Sequence, residues 1–223
     1  MSCDYAQESS WKAIMEFFIR KIVTAVIIII WATNVMATEE APYTLVEKDK
    51  AFEIRNYAPQ ILAETVVEGT LEEAGNIAFN RLFRYISGDN KSRDRVAMTA
   101  PVSQQPTGDK IKMTAPVGQQ AGQQGWTVSF MMPAIYTMET LPRPQDPQVS
   151  LRHVSARRMA AVRYSGFWSE NAYLRNKREL ESWIVQKGLT IVGDPVWARY
   201  NPPFTPWFLR RNEILIPVRA GND

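Results

Sequence analysis

The chain of 223 residues has few of the side chains that commonly carry catalysis or bind metals. It contains one histidine, His153, and one cysteine, Cys3. A histidine-rich metal site and a histidine-activated cysteine are therefore excluded. His153 falls in a strand pattern beside Arg152, which favours a rim or core position over a metal ligand. The sequence also lacks a glycine-rich phosphate loop, a nucleophile elbow and a serine–histidine–aspartate order, so we expect no enzyme activity.

A long hydrophobic run is absent as well. A positive pair at 20–21 precedes an uncharged apolar stretch at 22–32, and Val-Met-Ala at 35–37 offers small residues for a cleavage site. The apolar stretch is shorter than the roughly 20 residues that a membrane-spanning helix needs. Segment 1–37 is therefore predicted to be a signal peptide, with an uncleaved N-terminal anchor as the alternative.

The predicted signal peptide determines the expected cellular location. A cleaved signal would make the protein periplasmic or secreted. An uncleaved segment would anchor it in the inner membrane, and this segment is the only predicted contact with a membrane. Met15 gives a more ordinary signal start than Met1, because the residues before Met15 are mostly polar.

The remaining residues, 38–223, have the size of a single domain. Segment 1–37 carries as many basic as acidic side chains, so its removal leaves the net charge of +3 unchanged. Without a basic run or an aromatic-basic stripe, no nucleic-acid partner is expected. Cys3 is lost with the segment, which excludes a disulfide and thiol chemistry.

One pentapeptide, Met-Thr-Ala-Pro-Val, occurs at 98–102 and again at 113–117. Alternating apolar residues predict two strands. Met98 lies on the apolar face of the first strand, and Met113 lies with Ile111 on the apolar face of the second. Each proline removes a ladder donor, which predicts an edge strand or a bulge. The methionines are either core residues or the lining of a ligand pocket, and their spacing alone favours the core.

The order of predicted elements repeats. Strand patterns at 43–47, 52–57, 61–67 and 126–132 surround a helix that a Thr70–Glu73 capping box begins and Gly88 ends. After a proline-rich linker, strands at 149–155, 159–164, 192–200 and 213–218 surround a second helix at 169–187. This predicts an α+β fold built from a duplicated strand-strand-helix-strand-strand unit.

Aromatic side chains are the most informative feature. On the first helix Phe79 and Phe83 widen the apolar arc, either as extra core or as a shelf for a flat ligand. The second half holds a group of aromatic residues, namely Trp168, Trp183, Trp197, Phe204, Trp207 and Phe208. Arg210 and Arg211 follow directly, so this group is either a packed loop or a platform for a flat ligand that carries carboxylates.

Three motifs together resemble the SOUL haem-binding family. They are the twin Met-Thr-Ala-Pro-Val, the Phe-Met-Met-Pro at 130–133 and the proline-aromatic-arginine run at 200–213. The resemblance extends over 43–218. It implies a distorted antiparallel β-barrel flanked by two helices, with haem between the first helix and the loop before the last strand.

Carried onto this chain, the resemblance implies a set of haem-binding residues: Phe79, Phe83, Pro206, Trp207, Arg210 and Arg211. Some members carry a histidine, proposed as an axial ligand, where this chain has Asn56. An amide is a poor iron ligand, and His153 is not expected to replace it. Binding would then rest on the porphyrin face and the propionates.

The function predicted is that of an exported tetrapyrrole (haem)-binding protein, acting as carrier, buffer or scavenger. The alternative is a binder or hydrolase of another hydrophobic small molecule, because the implied fold resembles the effector-binding domains of bacterial regulators. Hydrolysis of hydrophobic esters or lactones would then depend on Glu213 or Tyr57.

We predict that the exported form begins at Thr38, after the small residues at 35–37. N-terminal sequencing of the periplasmic fraction tests this. Protein retained in the inner membrane with Met1 or Met15 at its start would mean that the segment is an anchor.

Overall fold

Two helices pack on one face of a large antiparallel sheet in the computed structural model, which describes residues 38–92 and 108–221. The helices are α1 (Leu71–Ile86) and α2 (Glu170–Gln186), and a short 3-10 helix spans Trp207–Leu209. The strands of the first half are β1 (Glu39–Glu40), β2 (Tyr43–Asp49), β3 (Phe52–Tyr57), β4 (Gln60–Val67), β5 (Asn90–Lys91), β6 (Thr114–Ala115), β7 (Val117–Gly122) and β8 (Gly125–Met131). Those of the second half are β9 (Arg143–Pro144), β10 (Ser150–Val154), β11 (Arg157–Tyr164), β12 (Leu189–Ile191), β13 (Val196–Arg199) and β14 (Asn212–Ala220).

The large sheet is open. Its strands run in the order β10-β4-β8-β7-β13-β14-β11-β3-β2, and β12 pairs with β14. The end strands β10 and β2 do not pair with each other, so the prediction of a closed, distorted barrel is wrong. Closure is not needed to bury the face away from the helices, because its side chains pack on one another and on Ala41.

Apart from the end strand β2, the strand order is symmetric about the β7–β13 pair, with three strands on either side. Helix α1 packs on β4 and β8, and helix α2 packs on β11 and β14. The α+β class is therefore confirmed. The order also supports the duplication of one unit, which stays a prediction.

Both helices begin and end where their residue chemistry predicts. The Thr70 hydroxyl accepts from the Glu73 N–H at 3.3 Å, and the Glu73 carboxylate accepts from the Thr70 N–H at 3.2 Å. The Ser169 hydroxyl caps α2 in the same way, accepting from the Ala172 N–H at 3.3 Å. Gly88, with φ of +115°, turns the chain after α1. Neither helix, nor any other within the described residues, is long and apolar enough to span a bilayer.

Three buried clusters form the core. The α1 cluster includes Ala63, Ala78, Leu82, Val128 and Phe130. The α2 cluster includes Ile54, Ala160, Leu180, Trp197 and Ile214. The cluster on the opposite face of the sheet includes Tyr57, Leu62, Met131, Met159 and Leu215. Residues alternate between the two faces along each strand, as in β14, where Ile214 and Leu215 point to different clusters.

The second Met-Thr-Ala-Pro-Val does not form the regular strand that alternation predicts. Ile111 is buried at 5% exposure but Met113 is 39% exposed, because the strand begins only at Thr114. Pro116 then separates β6 from β7 along the chain. The edge position predicted for the motif holds for β6, which pairs with β1 alone among the described strands, whereas β7, which begins at Val117, pairs with both β8 and β13. The first copy, with Met98, lies outside the described residues.

Because Ile111 is buried and Met113 is partly exposed, the same substitution should affect stability differently at the two positions. We expect Ile111→Asp to lower the free energy of unfolding by several kcal/mol, because it buries an unpaired charge. Met113→Asp should leave the folded state within about 1 kcal/mol of wild type, since a partly exposed position lets the carboxylate stay hydrated. Urea unfolding followed by circular dichroism measures both. An equally large loss in both variants would mean that Met113 belongs to the core.

Candidate functional site

A mostly apolar cleft lies between α1 and the loop at 200–204. Its volume is about 340 Å³, at the small end of the roughly 300–1,000 Å³ range of ligand pockets. Its apolar lining includes Phe79, Met113, Val117, Trp168, Pro203 and Phe204. Met113 of the second copy lines this cleft, which agrees with the pocket alternative and not with the core position that its spacing favoured.

Two other depressions have a different lining. One of about 360 Å³ is lined by His153, which is exposed on β10 and does not line the cleft, and by apolar side chains such as Ile61 and Met132, with Tyr136 as the aromatic residue among them. Another of about 620 Å³ is lined mainly by polar and charged side chains, among them Arg55 and Glu213. Among the described residues, no group of three or more histidine, cysteine, aspartate or glutamate side chains could hold a metal ion. Because Phe79, Trp168 and Phe204 line it, the cleft is the best candidate for a flat apolar ligand.

The helix wall of the cleft is rigidly supported. Phe79 packs edge-on against Phe130, with ring centroids 5.3 Å apart, and stacks on Phe83 at 5.9 Å. Gly75 lies one turn earlier, where an added Cβ would come within 2.9 Å of the Arg199 guanidinium. The glycine therefore lets α1 approach β13 closely.

The loop wall is held by the two arginines that the sequence assigned to ligand carboxylates. Arg210 donates from Nε to the Thr205 carbonyl at 2.8 Å and from Nη2 to the Pro203 carbonyl at 2.7 Å. Its guanidinium also lies 4.5 Å from the centre of the Trp168 ring. The Arg211 N–H donates to Asn201 Oδ1 at 2.6 Å. Both residues thus shape the loop.

The predicted site residues are only partly brought together. Phe79 lines the cleft, and Phe83 supports it from the next turn of α1. Pro206, Trp207, Arg210 and Arg211 do not line it. Trp207 instead stacks on Phe167 at 5.4 Å, beyond the loop. Asn56, at the position of the proposed axial histidine, accepts from Arg158 Nε at 3.1 Å on an exposed part of β3.

A buried charge network lies beside the loop. Glu213 is fully buried and accepts from Arg55 at 2.6 and 3.1 Å, from Arg211 at 2.9 Å and from the Tyr200 hydroxyl at 2.8 Å. Burial acts to raise the pKa of Glu213, but the hydrogen bond and charge of Arg55 and the charge of Arg211 outweigh it and lower that pKa. Burial, with the Glu213 charge, raises the pKa of Tyr200 far above its usual value.

The network bears on the hydrolytic alternative. Glu213 is ionised and surrounded by donors, and the Tyr57 hydroxyl accepts from Arg55 at 3.0 Å. Neither side chain lines the apolar cleft. No geometry of the described residues therefore favours either one as a base or nucleophile toward a ligand in the cleft.

Arg199 is the cleft residue that sequence reasoning missed. It lies at the end of β13 with its guanidinium 4.6 Å from the Trp197 ring centre and 5.3 Å from that of Trp168. Nη2 donates to Gln119 Oε1, while Nε is buried without a hydrogen-bond partner. Burial lowers the pKa of Arg199 to about 10, so it is charged at neutral pH. The sequence did contain a signal for this position, because alternation along β13 places Arg199 on the same face of the strand as the aromatic Trp197.

The fold places the chain among known α+β proteins. A hydrolase from Listeria innocua superposes with a TM-score of 0.51 at 13% identity, covering 78% of this chain and 94% of that one. The EcmrR chain in a cryo-EM structure of an EcmrR–DNA complex gives 0.53 at 10% identity, covering 98% and 73%. At such identities the similarity shows the fold alone.

The family is shown by sequence. The model of the SOUL heme-binding protein family matches residues 38–217, and the chain belongs to this family. Heme-binding protein 1 of Xenopus tropicalis is 26% identical over 170 residues, which are 75% of this chain and 84% of that protein. Heme-binding protein 1 of Mus musculus is 24% identical over 190 residues, which are 83% and 90%. The resemblance stated above is confirmed, and it supports haem as a ligand.

The buried network yields a stability prediction. Glu213→Gln should lower the free energy of unfolding by about 3 kcal/mol, because it removes the buried carboxylate that Arg55 and Arg211 share and leaves the buried Arg55 with Glu53 alone. Glu47→Gln is the control, since the Glu47–Lys187 pair is exposed to solvent and such pairs contribute little to stability. Urea unfolding at neutral pH compares the three proteins.

The same substitution predicts a pH dependence. The pKa of Glu213 is lower in the folded than in the unfolded state. Its contribution is therefore present above the unfolded value of about 4.3 and is lost as pH falls through the folded value. Wild type should lose stability more steeply than Glu213→Gln below about pH 4.3. Parallel curves would contradict the assignment.

Proposed function

We propose that this SOUL-family protein binds haem or another flat tetrapyrrole in the cleft between α1 and the loop at 200–204. The observation that carries the proposal is the cleft itself, which has an aromatic wall on each side. Phe79 supplies one wall from a rigid helix, and Phe204 supplies the other from a loop held by Arg210. Flat apolar rings are suited to such walls because stacked and edge-on aromatic contacts add to the burial of apolar area.

The side chains of the cleft fit a porphyrin better than they fit strong iron ligation. Two lining groups have a possible donor atom for iron, the Met113 thioether and the Tyr200 hydroxyl. Tyr200 is bonded to Glu213 and its raised pKa disfavours the phenolate, which leaves Met113. Haem, when bound, would supply the iron and the visible absorption, while the chain would supply the apolar walls.

The role that we propose is that of an exported carrier, buffer or scavenger of the tetrapyrrole. Phe204, at 86% exposure, leaves one wall of the cleft open to solvent. A ligand held mainly by apolar contacts at an open cleft can exchange, which transfer and buffering both require. Export rests on the predicted signal segment at 1–37, and the location is periplasmic or secreted, or membrane-anchored if that segment stays uncleaved.

A haem titration followed by Soret absorbance tests the proposal. Phe204→Asp should weaken binding roughly tenfold, because it sets a carboxylate against the porphyrin face. Phe204 is largely exposed, so this change should not affect folding. Phe79→Asp should weaken binding too, but Phe79 also packs on the core, so circular dichroism must confirm its fold.

Two variants serve as controls. Ile77→Asp makes the same change on an exposed face of α1 and should bind haem as wild type does. His153→Ala should also leave the affinity unchanged, since His153 lies outside the cleft. Absence of binding by wild type would overturn the function, and wild-type affinity in Phe204→Asp would move the ligand to another site.

A further inference from the structure

One charged side chain lines an otherwise uncharged cleft. Of the described residues that form its walls, Arg199 alone is ionised at neutral pH. The polar lining groups next to it, such as Asn76 and Asn201, are neutral amides. A positive charge beside aromatic walls favours a ligand that has both an apolar ring and an anionic group.

The protein does not neutralise Arg199. No carboxylate of the described residues lies within ion-pair distance of its guanidinium. Glu72 and the hydroxyl of Tyr164 are the acidic groups whose field reaches it, and their effect on its pKa is smaller than that of burial. A partly buried cation in this position lacks the counter-ion that such groups usually have.

The surroundings of Arg199 fix its position without providing that counter-ion. Gln119 is buried and donates from Nε2 to the Leu71 carbonyl at 2.7 Å, which turns its Oε1 toward Arg199. Trp197 and Trp168 flank the guanidinium through their ring faces. The guanidinium is therefore preorganised, and its Nε–H is a donor that no acceptor of the described residues uses.

We propose that Arg199 receives a carboxylate of the ligand, a propionate in the case of haem, and so selects acidic over esterified porphyrins. This assignment rests on the proposed function. Arg210 and Arg211 are poorer candidates, because neither lines the cleft and because Arg210 is bound to two backbone carbonyls and Arg211 is paired with two carboxylates. A guanidinium pairs with a carboxylate more strongly than with a neutral acceptor, so a ligand that carries this group gains most.

The test compares haem with its dimethyl ester, in which both propionates are blocked. We expect wild type to bind haem more tightly than the ester, and Arg199→Gln to lose at least about tenfold in affinity for haem alone. Arg199→Lys should recover part of the loss, because it restores the charge without the planar fork. Arg219→Gln, on an exposed part of β14 outside the cleft, is the control for loss of one positive charge and should bind both as wild type does.

Thermal unfolding without ligand separates binding from structure. Removal of an unpaired, partly buried charge should leave the midpoint of Arg199→Gln unchanged or raised. A lowered midpoint with equal weakening of both porphyrins would overturn the assignment in favour of a structural role. Wild-type haem affinity in Arg199→Gln would overturn the assignment alone, whereas failure of wild type to bind either porphyrin would overturn the proposed function as well.

Discussion

The buried ion pair between Arg55 and Glu213 joins the strands β3 and β14 across the sheet face away from the helices. Such a pair is tolerated only when hydrogen bonds satisfy both charges, and here Arg211 and Tyr200 complete the set around Glu213. Tyr200 and Arg211 are the first and last residues of the segment 200–211 between β13 and β14, which contains the cleft loop at 200–204. One network therefore fixes both ends of this segment, and Arg211 extends the network to β1 through Glu40 at 2.9 Å.

The cleft lies where the two helix-covered halves of the sheet meet. Trp126 packs against both the α1 and the α2 cluster, so the two cores meet at this boundary. Gly75 brings α1 close to β13, and the loop after β13 covers the gap from the other side. Ligand sites often occupy such a junction, because two rigid units leave a groove that neither fills.

Much of the fold could be predicted from sequence, because helix caps and residue periodicity are local. Thr70, Glu73 and Gly88 bounded the first helix correctly, and the strand patterns found most of the sheet. Barrel closure could not be predicted, since it depends on whether β2 and β10 meet. The prediction that Met113 lies on the buried face of a strand was also wrong, because the strand starts at Thr114 and not at Ile111.

The site was harder to predict than the fold. The aromatic contribution of Phe79 follows from its place on the edge of a helical stripe. The roles of the arginines do not follow from sequence, because Arg55 and Glu213 are 158 positions apart and only the folded sheet pairs them. Arg210 and Arg211 looked available because they follow an aromatic run, yet the loop itself uses their donors.

The difference between the arginines that bond within the loop and Arg199, which lines the cleft, has a physical basis. An arginine near loop carbonyls or a carboxylate lowers its free energy by bonding within the chain, and it then has little to offer a ligand. An arginine between two indole rings and an amide keeps its charge but gains no counter-ion, as at Arg199. In the site that we propose, Arg199 keeps a charge that no ion pair within the described residues neutralises, because Glu213 pairs with Arg55 and Arg211 instead.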